Sequence, residues 1–244
     1  MKGAIVTGGS GSIGAAVVRA LASAAYRVHV LDKQPLPAAL ESLAGITAVD
    51  LRDPAACQAA VESACRELGS LETLVYCAGV LGPTCPLEAA PLEELYEVVA
   101  VNLAGAVACV HAAVPHLKAS GGGSVVFVAS ISAEVGSSAA PVYGAAKAGL
   151  VGLAKGLARQ LGRHRIRVNC VSPGSVASTR LLTNARGYPL TRAESLAISA
   201  RLPLARLTSA EEVAQGVLYL CGPGGCSITG TNLVIDAGES LCTD

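Results

Sequence analysis

Tyr143 and Lys147 stand four residues apart, a spacing that puts both on one face of a helix. A free phenol titrates near pH 10 and is a poor base at neutral pH. An ammonium beside it stabilises the phenolate and lowers that value. Such a pair could move a proton to or from a substrate oxygen. The same spacing also arises between an ordinary core tyrosine and an unrelated surface lysine. Ser130, directly after the apolar run Ser124–Ala129, could hydrogen-bond the same oxygen, and Ser132, Ser137 and Ser138 compete with it on chemistry alone. Asn102 lies in an apolar helical stretch, where asparagine is unfavourable, so an idle one is not expected. The nine cysteines are irregularly spaced, with no C-x-x-C pair and no zinc-type pattern with the four histidines. They are expected to be small buried hydrophobes in a reducing cytoplasm, with no metal.

A second constellation lies near the N-terminus. Residues Thr7–Gly14 read TGGSGSIG, and Gly9, Gly11 and Gly14 satisfy G-x-G-x-x-G. Glycine suits a tight turn through which backbone approaches a pyrophosphate seated on a helix N-terminus. The motif gains weight because an apolar run precedes it and an amphipathic helix follows. Asp32 closes the next apolar run, RVHVLD, where an acid can bond the adenosine ribose hydroxyls. A carboxylate there repels a 2′-phosphate and selects NAD over NADP; the adjacent Lys33 pulls the other way.

Positioning these groups requires short strands alternating with longer Ala-rich helices. Strands are expected at Gly3–Thr7, Arg27–Leu31, Ile46–Val49, Thr73–Cys77, Ser124–Ala129, Arg167–Val171 and Asn232–Asp236. All are nearly continuously apolar, as in parallel sheets covered on both faces. Ile13, Val17 and Leu21 mark the inner face of a first helix. Pro54 is expected to open a third helix, and Ser209 with Glu211 and Glu212 an acidic, capped one. Strand–helix alternation throughout predicts an α/β fold, a doubly wound parallel sheet of Rossmann type, with residues 1–244 forming a single domain. The excursion 181–207 is long for a plain connection and is expected to form a substrate loop or lid.

With 52% hydrophobic residues and 18 basic against 18 acidic side chains, the chain can bury a large core and carries no global field toward nucleic acid or an anionic membrane. One Phe and no Trp argue against a base-stacking surface. The opening MKGAIVTGG reads as neither a signal nor a transit peptide, so a cytoplasmic protein is expected. The run Val98–Val114, broken by Asn102 and His111, reads as a buried helix rather than a membrane span.

Together, the glycine loop, Asp32, Tyr143-Gly-Ala-Ala-Lys147 and Pro173-Gly174 resemble the short-chain dehydrogenase/reductase family from Lys2 to Gly238. The family's loop reads T-G-x-x-x-G-x-G; Thr7, Gly8 and Gly14 match, while Ser12 takes the middle glycine's place and could cap the helix or bond a phosphate. The resemblance implies NAD as cofactor, held by Gly8, Ser10, Ser12, Ile13, Gly14, Asp32 and Lys33. Asp50 and Leu51 would sit beside the adenine, with Cys77, Ala78 and Gly79 following the fourth strand; Cys77 replaces a bracing asparagine. Pro173, Gly174, Val176 and Thr179 would pack on the nicotinamide and bond its carboxamide. It picks Ser130 by its place thirteen residues before Tyr143, and gives Asn102 a water in a proton relay. It implies that Ser130 bonds the substrate oxygen, Tyr143 exchanges its proton, and Lys147 tunes Tyr143 and holds the ribose. The resemblance and the apolar faces of 92–118 and 142–163 imply a homotetramer.

Three functions compete. The first is an NAD-linked oxidoreductase acting on a secondary alcohol or ketone. The second is an NADPH-dependent reductase of 3-oxoacyl groups on a carrier protein, for which Arg163, Arg165 and Arg167 could form a basic patch. The third, a non-catalytic dinucleotide sensor, fits poorly with the set Asn102, Ser130, Tyr143 and Lys147. Substrate contacts are expected from the apolar loops Leu81–Ala90 and 181–207, favouring a modest-sized, partly hydrophobic alcohol.

Overall fold

Every expected apolar run forms a strand, with ends shifted by one or two residues. The strands are β1 (Lys2–Thr7), β2 (Tyr26–Asp32), β3 (Ala44–Ala48), β4 (Thr73–Tyr76), β5 (Gly123–Val128), β6 (Ile166–Pro173) and β7 (Asn232–Ile235). They pair in parallel in the order β3-β2-β1-β4-β5-β6-β7. The computed structural model describes residues 2–177 and 191–242.

Helices cover both faces, which is why the central strands are apolar on both sides. On one face lie α2 (Pro54–Leu68), α3 (Leu92–Val99), α4 (Gly105–Ala119) and α6 (Pro141–Leu161), with α5 (Ser132–Val135) a single short turn before α6. Ile5, Leu74, Phe127 and Val168 of the sheet pack there against Val61, Cys109 and Leu150. On the other face, Val17 and Leu21 of α1 (Ser12–Ser23) join Val213 and Val217 of α8 (Ala210–Cys221) over Val6, Val30 and Val126. Pro54 opens the second helix rather than the third, because the connection from β2 to β3 holds only a 3₁₀ turn, Ala38–Leu40. Its prolines, Pro35 and Pro37, disfavour helix. Ser209 and Glu212 form a reciprocal capping box at the start of α8.

The apolar run 98–114 is helical, as expected, and continuous from Leu92 to Ala119 by way of a π-helical turn at Ala100–Ala104. By length and composition this helix could cross a membrane, yet its Ala106, Cys109, Ala113 and Leu117 are buried against the sheet. All nine cysteines are free thiols; Cys57, Cys65, Cys109, Cys170 and Cys221 are buried, whereas Cys85, Cys226 and Cys242 are exposed, against expectation. Within the excursion 181–207, α7 (Arg192–Arg201) starts at a second capping box, Thr191 with Glu194. Residues 181–190 lie outside the described residues.

Candidate active site

The strand order reverses between β1 and β4, and a cleft of about 600 Å³ opens at the carboxyl ends of these strands. Such switch points are where doubly wound sheets bind ligands. Gly8, Gly11, Ser12, Ile13, Gly14, Asp32, Lys33, Asp50, Leu51, Cys77, Ala78 and Gly79 all line it.

Two glycines of the loop are fixed by close approach. Gly8 has φ +66°, and a Cβ there would lie 2.7 Å from the Ala78 Cα. A Cβ on Gly14 would fall 2.2 Å from the Gly8 carbonyl oxygen. Gly11 is the N-cap of α1, and Ser12, one position later, is its first helical residue. Ser10 braces the loop: its N–H donates to Asp32 Oδ2 at 2.9 Å and its hydroxyl to the Gln34 carbonyl at 3.1 Å. The Gln34 N–H donates to the other Asp32 oxygen at 2.9 Å. The buried Asp32 carboxylate is therefore oriented from both sides and still has lone pairs for the cleft.

Beyond Asp32, the cleft holds a cation that no local spacing in the sequence points to. Arg52 lines the cleft, with Nε 3.0 and 2.9 Å from the two Asp50 oxygens and Nη1 3.3 Å from Glu97 Oε1. Its hydrogen bonds hold the Asp50 carboxyl at about 2. Arg52 and Glu97 are 45 positions apart, so only the folded sheet brings them together.

At the other end, Tyr143 and Lys147 sit on the first turns of α6, and both are buried. Burial pushes the Tyr143 phenol up to about 12, against a smaller downward pull from the neighbouring Ser130 hydroxyl. The expected lowering by Lys147 is not realised by the chain's own groups. Lys147 is itself depressed by burial to about 8; its Nζ donates to the Val128 carbonyl at 2.9 Å and stands 5.5 Å from the Tyr143 ring centre. Of the competing serines, Ser137 accepts the Ala140 N–H at 3.1 Å before α6, Ser132 begins α5, and Ser138 is exposed.

Asn102 lies in the π turn, fully buried. Its Nδ2 donates to the Val98 and Val80 carbonyls at 2.9 and 2.8 Å, while Tyr76 donates to the Val101 carbonyl at 2.6 Å. Among the described residues, Asn102 Oδ1 is buried without a partner. A Cβ on Gly79 would meet that oxygen at 2.7 Å and Lys147 Nζ at 3.2 Å, so both face one small space at the cleft wall. An orphaned acceptor, an ammonium and a glycine-lined cradle fit a polar ligand with a diphosphate and ribose hydroxyls.

Cys77 contributes a thiol that burial raises to about 12, and its N–H donates to the Thr7 carbonyl at 3.2 Å. Pro173 accepts the Ile131 N–H at 3.0 Å, directly beside Ser130. Gly174 donates to the Ile235 carbonyl at 3.1 Å, and buried Val176 bridges to Thr208. Thr179 lies outside the described residues. Next to Tyr143, a small apolar hollow is lined by Leu81, Pro83, Leu87, Leu95 and Val98. The basic patch is smaller than expected, because Arg167 turns inward to the Leu220, Cys221 and Gly225 carbonyls behind α8.

This arrangement recurs in known proteins. A family profile described as enoyl-(acyl carrier protein) reductase matches residues 8–240. Momilactone A synthase of Oryza sativa subsp. japonica is 36% identical over 98% of this chain and 90% of its own length. Cis-4-hydroxycyclohexanecarboxylate dehydrogenase of Sinomonas cyclohexanicum is 34% identical over 96% and 95%. Among solved structures, a short-chain dehydrogenase/reductase from Serratia marcescens BCRC 10948 superposes with TM-score 0.87 at 35% identity, covering 98% of both chains. An actinorhodin polyketide ketoreductase with NADPH (TM-score 0.90, 29% identity, 98% and 97% covered) is similar too. So is a 3-ketoacyl-(acyl-carrier-protein) reductase from Brucella melitensis with NADH (TM-score 0.89, 27% identity, 98% of each). With its parallel sheet, its glycine cradle and a match running through nearly the whole length, the chain belongs to the short-chain dehydrogenase/reductase family and is an oxidoreductase.

Proposed function

We propose that this protein transfers a hydride between NAD and a secondary alcohol or ketone, with Tyr143 as acid and base. The observation that carries this is buried Tyr143 and Lys147 on one face of α6, with Lys147 Nζ on the carbonyl of Val128, two residues before Ser130. Bound nicotinamide supplies the hydride acceptor or donor. Ser130 hydrogen-bonds the substrate oxygen, and the Tyr143 hydroxyl gives or takes the proton there. Lys147 Nζ, anchored on Val128, offers its remaining N–H groups to a ribose hydroxyl. Asn102 Oδ1 accepts from a water that connects Lys147 to solvent. The apolar hollow beside Tyr143 favours a modest-sized, partly hydrophobic substrate, in keeping with the cyclic alcohol in the name of the Sinomonas relative.

NAD is the proposed cofactor because Asp32 is buried, braced and aimed into the cleft. Arg52, the cation best able to attract a 2′-phosphate besides Lys33, is already held by Asp50 and Glu97. A phosphate of charge about −1.5 to −2 would face Asp32. Lost charge-assisted bonds of about 1.5–3 kcal/mol make a preference of about tenfold or more. The second reading, an NADPH-linked 3-oxoacyl reductase, draws its cofactor from the actinorhodin ketoreductase structure with NADPH and its acyl substrate from the Brucella reductase, which holds NADH.

One set of kinetics separates them: secondary alcohols and cyclic diols with NAD and NADP, for wild type and Asp32→Ala. We expect turnover with NAD, and a narrower gap between cofactors in Asp32→Ala through weaker NAD use. Equal use of both cofactors by the wild type would contradict the NAD assignment.

A further inference from the structure

The C-terminal end of the chain returns to the loop beside Ser130. After β7, Ala237 and Gly238 both take left-handed backbone, with φ 55° and 88°. Asp236 pins this turn by accepting the Gly238 and Ser240 N–H groups at 2.9 and 2.7 Å. The turn delivers Glu239 to the loop after β6. There Glu239 Oε2 accepts the Ser175 N–H at 2.5 Å, and Oε1 accepts the Ser175 hydroxyl at 2.7 Å. The fit is close: a Cβ on Gly174 would lie 2.5 Å from that Oε2 and 2.8 Å from the Asp236 Cβ. Two residues before Ser175, the Pro173 carbonyl accepts the N–H of Ile131, the neighbour of Ser130. The same turn also ties down the segment just after α7, since the Leu204 N–H donates to the Ala237 carbonyl at 3.2 Å.

Ser175 lies in a bend beyond β6, outside any strand or helix. Glu239 therefore occupies both of its donors with charge-assisted bonds, the stronger kind. We propose that Glu239 is a positioning residue for hydride transfer: through Ser175 it fixes the loop Pro173–Val176 at the nicotinamide end of the cleft. This rests on the nicotinamide-linked reading given above. A loop displaced by even about 1 Å misaligns the reacting atoms and can cost about a hundredfold in rate. The adenosine end, held by Asp32 and the glycine loop, would not feel the change.

The test compares Glu239→Ala, Glu239→Gln and Ser175→Ala in the full chain, reading kcat/KM with NAD and inhibition by ADP-ribose, which lacks the nicotinamide. Glu239→Ala should lower kcat/KM by about tenfold or more and leave ADP-ribose inhibition unchanged. Glu239→Gln should recover to within about threefold, because its amide offers an acceptor to the Ser175 N–H and a donor to the hydroxyl. Ser175→Ala keeps the N–H bond and should show a smaller loss, and it carries the test if Glu239→Ala does not fold. Unchanged kcat/KM, or ADP-ribose inhibition weakened in step with NAD use, would overturn the proposal. A wild type inactive with any nicotinamide cofactor would instead remove the reading beneath it.

Discussion

Burial sets the resting protonation of both Tyr143 and Lys147. It disfavours the charged form of each, raising the phenol to about 12 and lowering the ammonium to about 8. At neutral pH the chain therefore keeps Tyr143 protonated, ready as an acid for carbonyl reduction. Alcohol oxidation needs the phenolate, whose fraction grows tenfold per pH unit below the pKa. We expect kcat/KM for oxidation to climb between about pH 7 and 8 and then flatten as Lys147 loses its proton, and that for reduction to stay level to about pH 8 and fall above it. Parallel pH–rate profiles in both directions check this; an oxidation rate that falls with rising pH would contradict it. Local spacing made Tyr143 with Lys147, and Asp32 at a strand end, legible in the sequence. Arg52 with Glu97 and Ser175 with Glu239 were not legible, because partners 45 and 64 residues apart meet only through topology. The phenol's upward shift was also hidden, since burial outweighs a neighbour that sequence spacing alone suggests.

At the scale of elements, the glycine loop works because two backbone segments touch where side chains would stand. Gly14→Ala places a Cβ 2.2 Å from the Gly8 carbonyl, so the β1–α1 turn must open. Overpacking of this kind costs about 1–3 kcal/mol. We expect NAD affinity to fall about tenfold or more, with the fold retained by circular dichroism; fluorescence titration with NADH measures it, and wild-type affinity would contradict it. The strands were readable because parallel strands covered on both faces are continuously apolar, as in Ile5–Val6 and Val125–Val128. Their ends drifted because the last residue of a strand is decided by its neighbour's register. The π turn holding Asn102 was not readable, since one widened turn leaves the helical pattern of apolar residues almost unchanged.

At the scale of the whole molecule, the sheet leaves an apolar surface uncovered. Leu92, Tyr96, Val99 and Val107, along α3 and α4, are 59, 68, 38 and 46% exposed. Patches of this kind mark association surfaces. We expect a homotetramer assembled partly through this face, and smaller species on replacing Tyr96 and Val107 by glutamate. Light scattering decides; a stable wild-type monomer at micromolar concentration would contradict it. The central claim, proton transfer by Tyr143 during nicotinamide-linked hydride transfer, is tested most directly by Tyr143→Phe, which removes one hydroxyl and leaves Lys147 on the Val128 carbonyl. With the secondary alcohol or cyclic diol that the wild type turns over best, NADH formation should fall by about 10²–10⁴-fold or more, while NADH binding by fluorescence stays near wild type. Near-normal turnover in Tyr143→Phe would contradict the account.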